Sequence, residues 1–265
     1  MLPLKENLER LEAAIEQACR RAGRPRHDVE LMAVSKTYPA ATIIEAGELG
    51  LGLFGENRVQ EFAAKAEALA QWRFSQVSKT GRPGAPAAFD KQIQVHLIGH
   101  LQTNKAAKAA ELFDAVDSVD SVRVAERLNE AAEKLHKRLP VLIEVKLSAE
   151  ETKAGVEPES TGAAALLERL PDLKHLHLRG LMTIAPWGVA EDVTRGCFRS
   201  LREWRDRWAA THPKLNFDVL SMGMSGDFAI AIEEGATRIR IGTALFGKRP
   251  PMAEQRKAFP EDFAE

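Results

Sequence analysis

Eight short apolar runs, each set off from the next by helical sequence, constrain the fold of this chain more than any single motif: VELMAVS, LGLFG, IQVHLIG, LFDAVDS, LPVLIEVKL, LKHLHLRGLMT, NFDVLSM and TRIRIG. The segments between them, among them ATIIEAGELG, ENRVQEFAAKAEALAQW, SVRVAERLNEAAEKLHKR and EDVTRGCFRSLREWRDRWAA, carry helical patterns. Strands that each feed a helix, in that number, are the count of a (β/α)8 barrel. A doubly wound sheet is the competing arrangement, but no G-x-G-x-x-G follows the first strand, which removes the main argument for a dinucleotide fold. Ahead of the first run, Leu4, Leu8, Leu11, Ile15 and Ala18 recur at helical spacing until Gly23 and Pro25 close the segment, so the barrel gains an extra N-terminal helix.

At 265 residues the chain is expected to form one barrel domain over its whole length. Residues 75–92, SQVSKTGRPGAPAAFDKQ, mix glycine, proline and charge without a period and read as a mobile insertion before the third strand. The stretch 248–265 reads as a flexible tail. With 37 Lys and Arg against 38 Asp and Glu, no global field favours nucleic acid or an acidic membrane, and small molecules are the expected partners. Cys19 and Cys197 lack the spacing of a disulfide framework or zinc site, which fits a reducing cytoplasm. The acid-containing N-terminus has no signal-like apolar core and no window reaches the length of a membrane span, so the expectation is a soluble cytoplasmic protein. The pairs His96/His100 and His175/His177 have no carboxylate or cysteine company at ligand spacing, so no metal site is expected. In FRSLREWRDRW, Phe198, Leu201, Trp204 and Trp208 form a packed helical face with arginines outside.

The stretch LMAVSKTYP delivers Lys36 to the C-terminal end of the first strand, where the chemistry of such barrels sits. An ammonium at an apolar barrel mouth loses hydration, which frees its amine to attack a carbonyl. A lysine that snorkels to solvent is the other reading. The seventh strand ends in LSMGMSGDF, where Ser221, Gly223, Ser225 and Gly226 precede a helix starting near Asp227. Glycines let backbone amides converge on an anion, and an ordinary helix cap by Ser225 or Asp227 is the alternative. The eighth strand ends in RIRIGT and adds Gly242 and Thr243, so both loops that commonly hold a phosphate in these barrels are suited to one. A carbonyl-seeking lysine beside a phosphate cradle points to pyridoxal 5′-phosphate (PLP). Arg238 and Arg240 share one face of the eighth strand. If that face is inward, Arg240 could donate to the pyridine nitrogen and oppose its protonation, whereas a salt-bridged barrel arginine suits Arg238 better.

In order, AVSKTYP at 33–39, FGENRVQE at 54–61, HLIGHLQTNK at 96–105, LSMGMSGD at 220–227 and RIRIGTALFG at 238–247 resemble the motifs of the pyridoxal phosphate homeostasis proteins, single-domain relatives of the alanine racemase N-terminal barrel. The resemblance covers nearly the whole chain. It implies that Lys36 carries PLP as an internal aldimine with Asn57 beside it. Met224, Ser225, Gly226, Gly242 and Thr243 would hold the phosphate, and Arg240 would face the pyridine nitrogen. The implied protein has no established catalytic residue; it carries or buffers PLP, supplies PLP-dependent apoenzymes and balances vitamin B6 and amino-acid pools, and with no dimer-forming second domain in the sequence a monomer is expected. His100 stands where many members have proline, the 75–92 insertion is long, and Lys153 matches a second lysine of the family with a role in cofactor entry or exit.

Two enzymatic readings compete. An amino-acid racemase needs acid/base groups on both faces of the reacting carbon. Alanine racemases take the second from a tyrosine on a separate domain, and here Tyr38, two residues past Lys36, is poorly placed, leaving His96, His100 or Lys153. A lysine aldolase acting on a sugar phosphate would share the phosphate site, but its lysine usually sits on a later strand.

Overall fold

The computed structural model describes residues 3–80, 93–148 and 154–247, and each predicted apolar run becomes a strand of one closed, parallel barrel. The strands are β1 (Glu30–Val34), β2 (Leu53–Glu56), β3 (Gln94–Leu97), β4 (Ala115–Val119), β5 (Leu139–Glu144), β6 (Leu176–Met182), β7 (Val219–Ser221) and β8 (Arg238–Ile241). They pair in chain order, and β8 closes on β1 with Arg240 opposite Met32 and Ile241 opposite Ala33.

The helices are α1 (Leu4–Arg21), α2 (Ala40–Glu48), α3 (Val59–Thr80), α4 (Ala106–Leu112), α5 (Val122–Lys134), α6 (Thr161–Arg169), α7 (Glu191–Thr211), α8 (Phe228–Glu233) and α9 (Thr243–Phe246). The extra helix α1 buries Leu11, Ile15, Ala18 and Cys19, packs on α8 and α9, and is tied to α9 by Asn7 Nδ2 donating to the Leu245 carbonyl at 2.9 Å. In α7, Phe198, Leu201 and Trp208 are buried and Trp204 packs against the same core, as the helical spacing requires. Residues 75–80, read from sequence as the start of a loop, instead continue α3. No glycine or proline interrupts the helix before Gly81, and the breakers of that stretch are all later. Residues 81–92 and 248–265 lie outside the described residues, as does Lys153.

Side chains alternate between two environments along the strands. Ala33, Phe54, Val95, Leu97, Val116, Val141, Ile143, Leu181, Leu220, Ile239 and Ile241 join the large core shared with the helices. The opposite face forms the barrel interior, where Met32, Val34, Leu53 and Ile98 make one apolar cluster and Leu142, Met182 and Val219 another. Between them lies a buried ionic crossing. Arg238 on β8 donates from Nε to Glu30 at 2.7 Å and from Nη1 to Asp117 on β4 at 3.0 Å, and His96 Nδ1 lies 3.0 Å from the same carboxylate. Burial alone would raise the Asp117 pKa, but His96 and Arg238 override it and hold the carboxyl below its ordinary value. Arg238 is therefore the salt-bridged arginine anticipated for that strand face.

Close strand approach depends on Gly180 in β6. It sits at φ 150°, and a Cβ there would lie 1.9 Å from the carbonyl oxygen of Val219 on β7. Gly180→Ala is expected to cost about 3 kcal/mol or more, read by urea unfolding. A loss below about 1 kcal/mol would mean that β6 and β7 can separate without penalty.

Candidate cofactor site

The loops after the strands enclose a cavity of about 750 Å³ lined by all the predicted site residues: Lys36, Asn57, Met224, Ser225, Gly226, Arg240, Gly242 and Thr243. A more open hollow of about 870 Å³ at the opposite end of the barrel includes Glu12, Arg26 and Glu30 in its lining and has no lysine among its described residues.

Lys36 is half-buried and follows β1 directly, and the residues on either side of it are held from beneath. Ser35 Oγ donates to Glu56 Oε1 at 2.7 Å, and the amide of Thr37 donates to Glu61 Oε1. Lys65 on α3 joins both carboxylates, donating to Glu56 at 2.9 Å, to Glu61 at 2.7 Å and to the Ser35 carbonyl at 3.2 Å. All three ionic side chains are buried. Burial is the largest influence on Glu56 and raises its pKa; Lys65 acts against it and Glu61 with it, leaving the carboxyl at about 7. Thr37 adopts φ 70°, a left-handed conformation costly for a β-branched residue, so the clamp maintains the turn that aims the chain at the cavity. Asn57 approaches the β3 loop closely, because a Cβ on Gly99 would lie 2.2 Å from the Asn57 carbonyl oxygen.

Barrel closure places the loops after β7 and β8 beside β1. Ser225 Oγ accepts from the Ala244 amide at 3.2 Å, which ties the two loops together, and Asp227 Oδ1 accepts from the Met224 amide at 2.5 Å. Asp227 thus fixes the turn and makes no side-chain cap to α8. The backbone amides of Ser225, Gly226, Gly242 and Thr243 have no acceptor among the described residues. A Cβ on Gly226 would meet nothing within 4 Å. Unsatisfied amides on loops that line one cavity are the donor set an anion requires.

Arg240 lies at the floor of the cavity, buried, and its guanidinium donates to Ser221 Oγ at 2.9 Å and to the Thr183 carbonyl at 2.7 Å. Burial pulls its pKa down, with Asp117, Glu144 and Asp227 opposing. The inward orientation anticipated for Arg240 is therefore what the structure shows.

Glu144 and Ser148, which line the same cavity, escaped the sequence reading, as did the partner of His100, whose Nδ1 lies 3.0 Å from Asp120. The carboxylate partners of His96 and His100 come from β4 and the loop after it, not from neighbours in sequence, which is why spacing did not reveal them. Glu144 is pushed up to about 7 by burial first and by Asp120 second, with Arg240 opposing. The single tyrosine, Tyr38, donates its hydroxyl to the Gly247 carbonyl at 2.9 Å and stacks obliquely on Phe246, 5.1 Å between centroids.

Residues 7–250 match the family described as alanine racemase, N-terminal domain. The pyridoxal phosphate homeostasis protein of Aquifex aeolicus is 41% identical over 244 residues, covering 92% of this chain and 97% of that one, and its counterpart in Vibrio cholerae is 40% identical over 94% and 98%. The chain belongs to the pyridoxal phosphate homeostasis protein family. Among solved structures of like fold, PipY of Synechococcus elongatus with PLP bound is 39% identical, covers 92% of this chain and 100% of that chain, and superposes with a TM-score of 0.70. An alanine racemase of Clostridium difficile, at 15% identity and a TM-score of 0.65, shares the barrel alone.

Two outcomes follow from the buried acids. Lys65→Met leaves Glu56 and Glu61 without a counter-charge and is expected to cost about 3–5 kcal/mol in urea unfolding; a loss under about 1 kcal/mol would contradict the clamp. For Glu144 the folded value of about 7 lies above the ordinary 4.5, so its protonated form is favoured by folding. Its contribution is complete at low pH and is lost as pH rises through about 7. Glu144→Gln is therefore expected to gain stability relative to wild type between acid and mildly alkaline pH, by on the order of 2–3 kcal/mol. A pH-independent difference would show that the carboxyl is solvated.

Proposed function

We propose that this protein binds PLP at Lys36 and serves as a carrier or buffer of the cofactor. The observation that carries the reading is the convergence, in one cavity, of a lysine held by its neighbours with a set of unpartnered backbone amides on the adjoining loops. The cofactor supplies an aldehyde that reacts with primary amines and a phosphate that anchors it. Lys36 provides the amine, and Ser225, Gly226, Gly242 and Thr243, with Met224 flanking them, provide the anion cradle. Asn57 borders the lysine. Arg240, fixed by Ser221 and Thr183, presents a cation to the ring nitrogen and opposes its protonation, which mutes the ring as an electron sink.

The protein acts on this reading as a single-domain monomer in the cytoplasm, supplies PLP-dependent apoenzymes, and catalyses no efficient reaction of its own. The fixed hydroxyl of Tyr38 supports this over racemization, because its bond to the Gly247 carbonyl commits it to the α9 end instead of the face opposite Lys36. Among the described residues no helix is long and apolar enough to cross a membrane.

Borohydride reduction of the full chain mixed with PLP, followed by peptide mass mapping, tests the assignment. A reduced adduct is expected predominantly at Lys36 and is expected to disappear in Lys36→Ala. Labelling spread over surface lysines, with Lys36 unmodified in folded protein, would overturn it.

A further inference from the structure

The residues assigned above occupy one side of the cavity, on loops after β1, β2, β7 and β8. The facing wall, built after β3, β5 and β6 by His100, Glu144, Lys146, Ser148, Ile184 and Trp187, has no assigned role. In a closed eight-stranded ring β5 stands opposite β1, so Glu144 and Lys36 line opposite sides of the mouth.

Among the described residues, two polar groups on that wall lack partners. Glu144 is 5% exposed, its Oε2 is buried without a hydrogen-bond partner, and Ser148 Oγ is in the same condition. Such groups are costly unless a ligand or water completes them. The local charge indicates which ligand. Asp120, outside the cavity lining and paired with His100 at 3.0 Å, adds a negative field at Glu144, and Arg240 on the cavity floor opposes it. Lys146, the lysine on that wall, lies 3.6 Å from Glu157. A carboxyl and a hydroxyl that both keep acceptor positions to spare favour a small cationic donor. Among the described residues no three metal-ligating side chains converge, which leaves an organic cation as the match.

We propose that this wall is a binding site for the ammonium group of a second ligand carrying a primary amine, with Glu144 as its counter-ion and Ser148 as a further acceptor. Its biological sense rests on the reading above, since an amine held there faces the lysine across the mouth. Its physical test does not. The exposed Trp187 at the rim, 91% accessible, is a built-in reporter.

The full chain without cofactor is titrated with ethylamine hydrochloride, following the Trp187 indole and neighbouring amide signals by NMR, against ethanol and against potassium chloride at equal ionic strength. Saturable shifts confined to the β5 and β6 loops are expected with ethylamine alone. Glu144→Gln, near-isosteric, is expected to weaken them at least about tenfold while leaving signals elsewhere in place, and Ser148→Ala about two- to fivefold. Unchanged affinity in folded Glu144→Gln, or equal shifts from potassium chloride or ethanol, would overturn the site. Absence of a borohydride adduct at Lys36 would remove the PLP assignment without touching this result, and the adduct with no amine binding would leave that assignment standing without the second site.

Discussion

Pairing of β8 with β1 makes the rest of this molecule possible. Until that seam closes, Lys36 and the Gly242–Thr243 turn lie at opposite ends of the sequence, and neither alone constitutes a site. Once Met32 pairs with Arg240 and Ala33 with Ile241, the ends of both strands emerge side by side. The turn packs against β1, with Val34 in ordinary van der Waals reach of Gly242. A long-range contact of this kind carries a large loop-closure cost, so it must be supported by the whole ring of strands and cannot form by local preference.

The barrel interior divides the work between stability and chemistry. Toward the N-terminal end, Arg238 crosses from β8 to Asp117 on β4 and to Glu30, with His96 beside the same carboxylate, so its charge is neutralised within the barrel. One pleat further along β8, Arg240 has no carboxylate within hydrogen-bonding distance among the described residues and is held instead by a hydroxyl and a carbonyl. Neutral acceptors orient a guanidinium without cancelling its charge. Two arginines on one strand face therefore differ by what meets them: one is a structural tie, and the other places a guanidinium held by neutral acceptors on the cavity floor.

How much of this was legible in sequence depended on whether the information was local. Strand and helix alternation is local, and every apolar run became a strand. Residues at strand ends were legible because barrel geometry fixes where those ends go, which is why Lys36, Ser225, Gly226, Gly242 and Thr243 were anticipated together. The alternation Arg238-Ile239-Arg240 gave the shared face, though only tertiary structure showed that it points inward. The clamp of Ser35, Glu56, Glu61 and Lys65 escaped notice because its members belong to three segments that look unrelated until α3 packs under the end of β1. Mutual pairing lets these charged residues be buried. The helix boundary at Thr80 was missed for the opposite reason: later glycines and prolines coloured the reading of residues that still propagate a helix.

The two sides of the cavity differ in what meets their buried carboxyls: Glu56 and Glu61 share the Lys65 ammonium, whereas Glu144 has no ion pair among the described residues. On the Lys36 side, neighbours fix the backbone through buried ion pairs, so the lysine is presented in a defined place at little further entropic cost. On the Glu144 side, acceptors are left incomplete, and burial holds the carboxyl near neutrality in pH terms. A cation beside a carboxyl raised in this way would favour its charged form. A turn fixed by ion pairs on one wall and an incompletely paired carboxyl on the other stand apart because eight strands separate them across a single mouth.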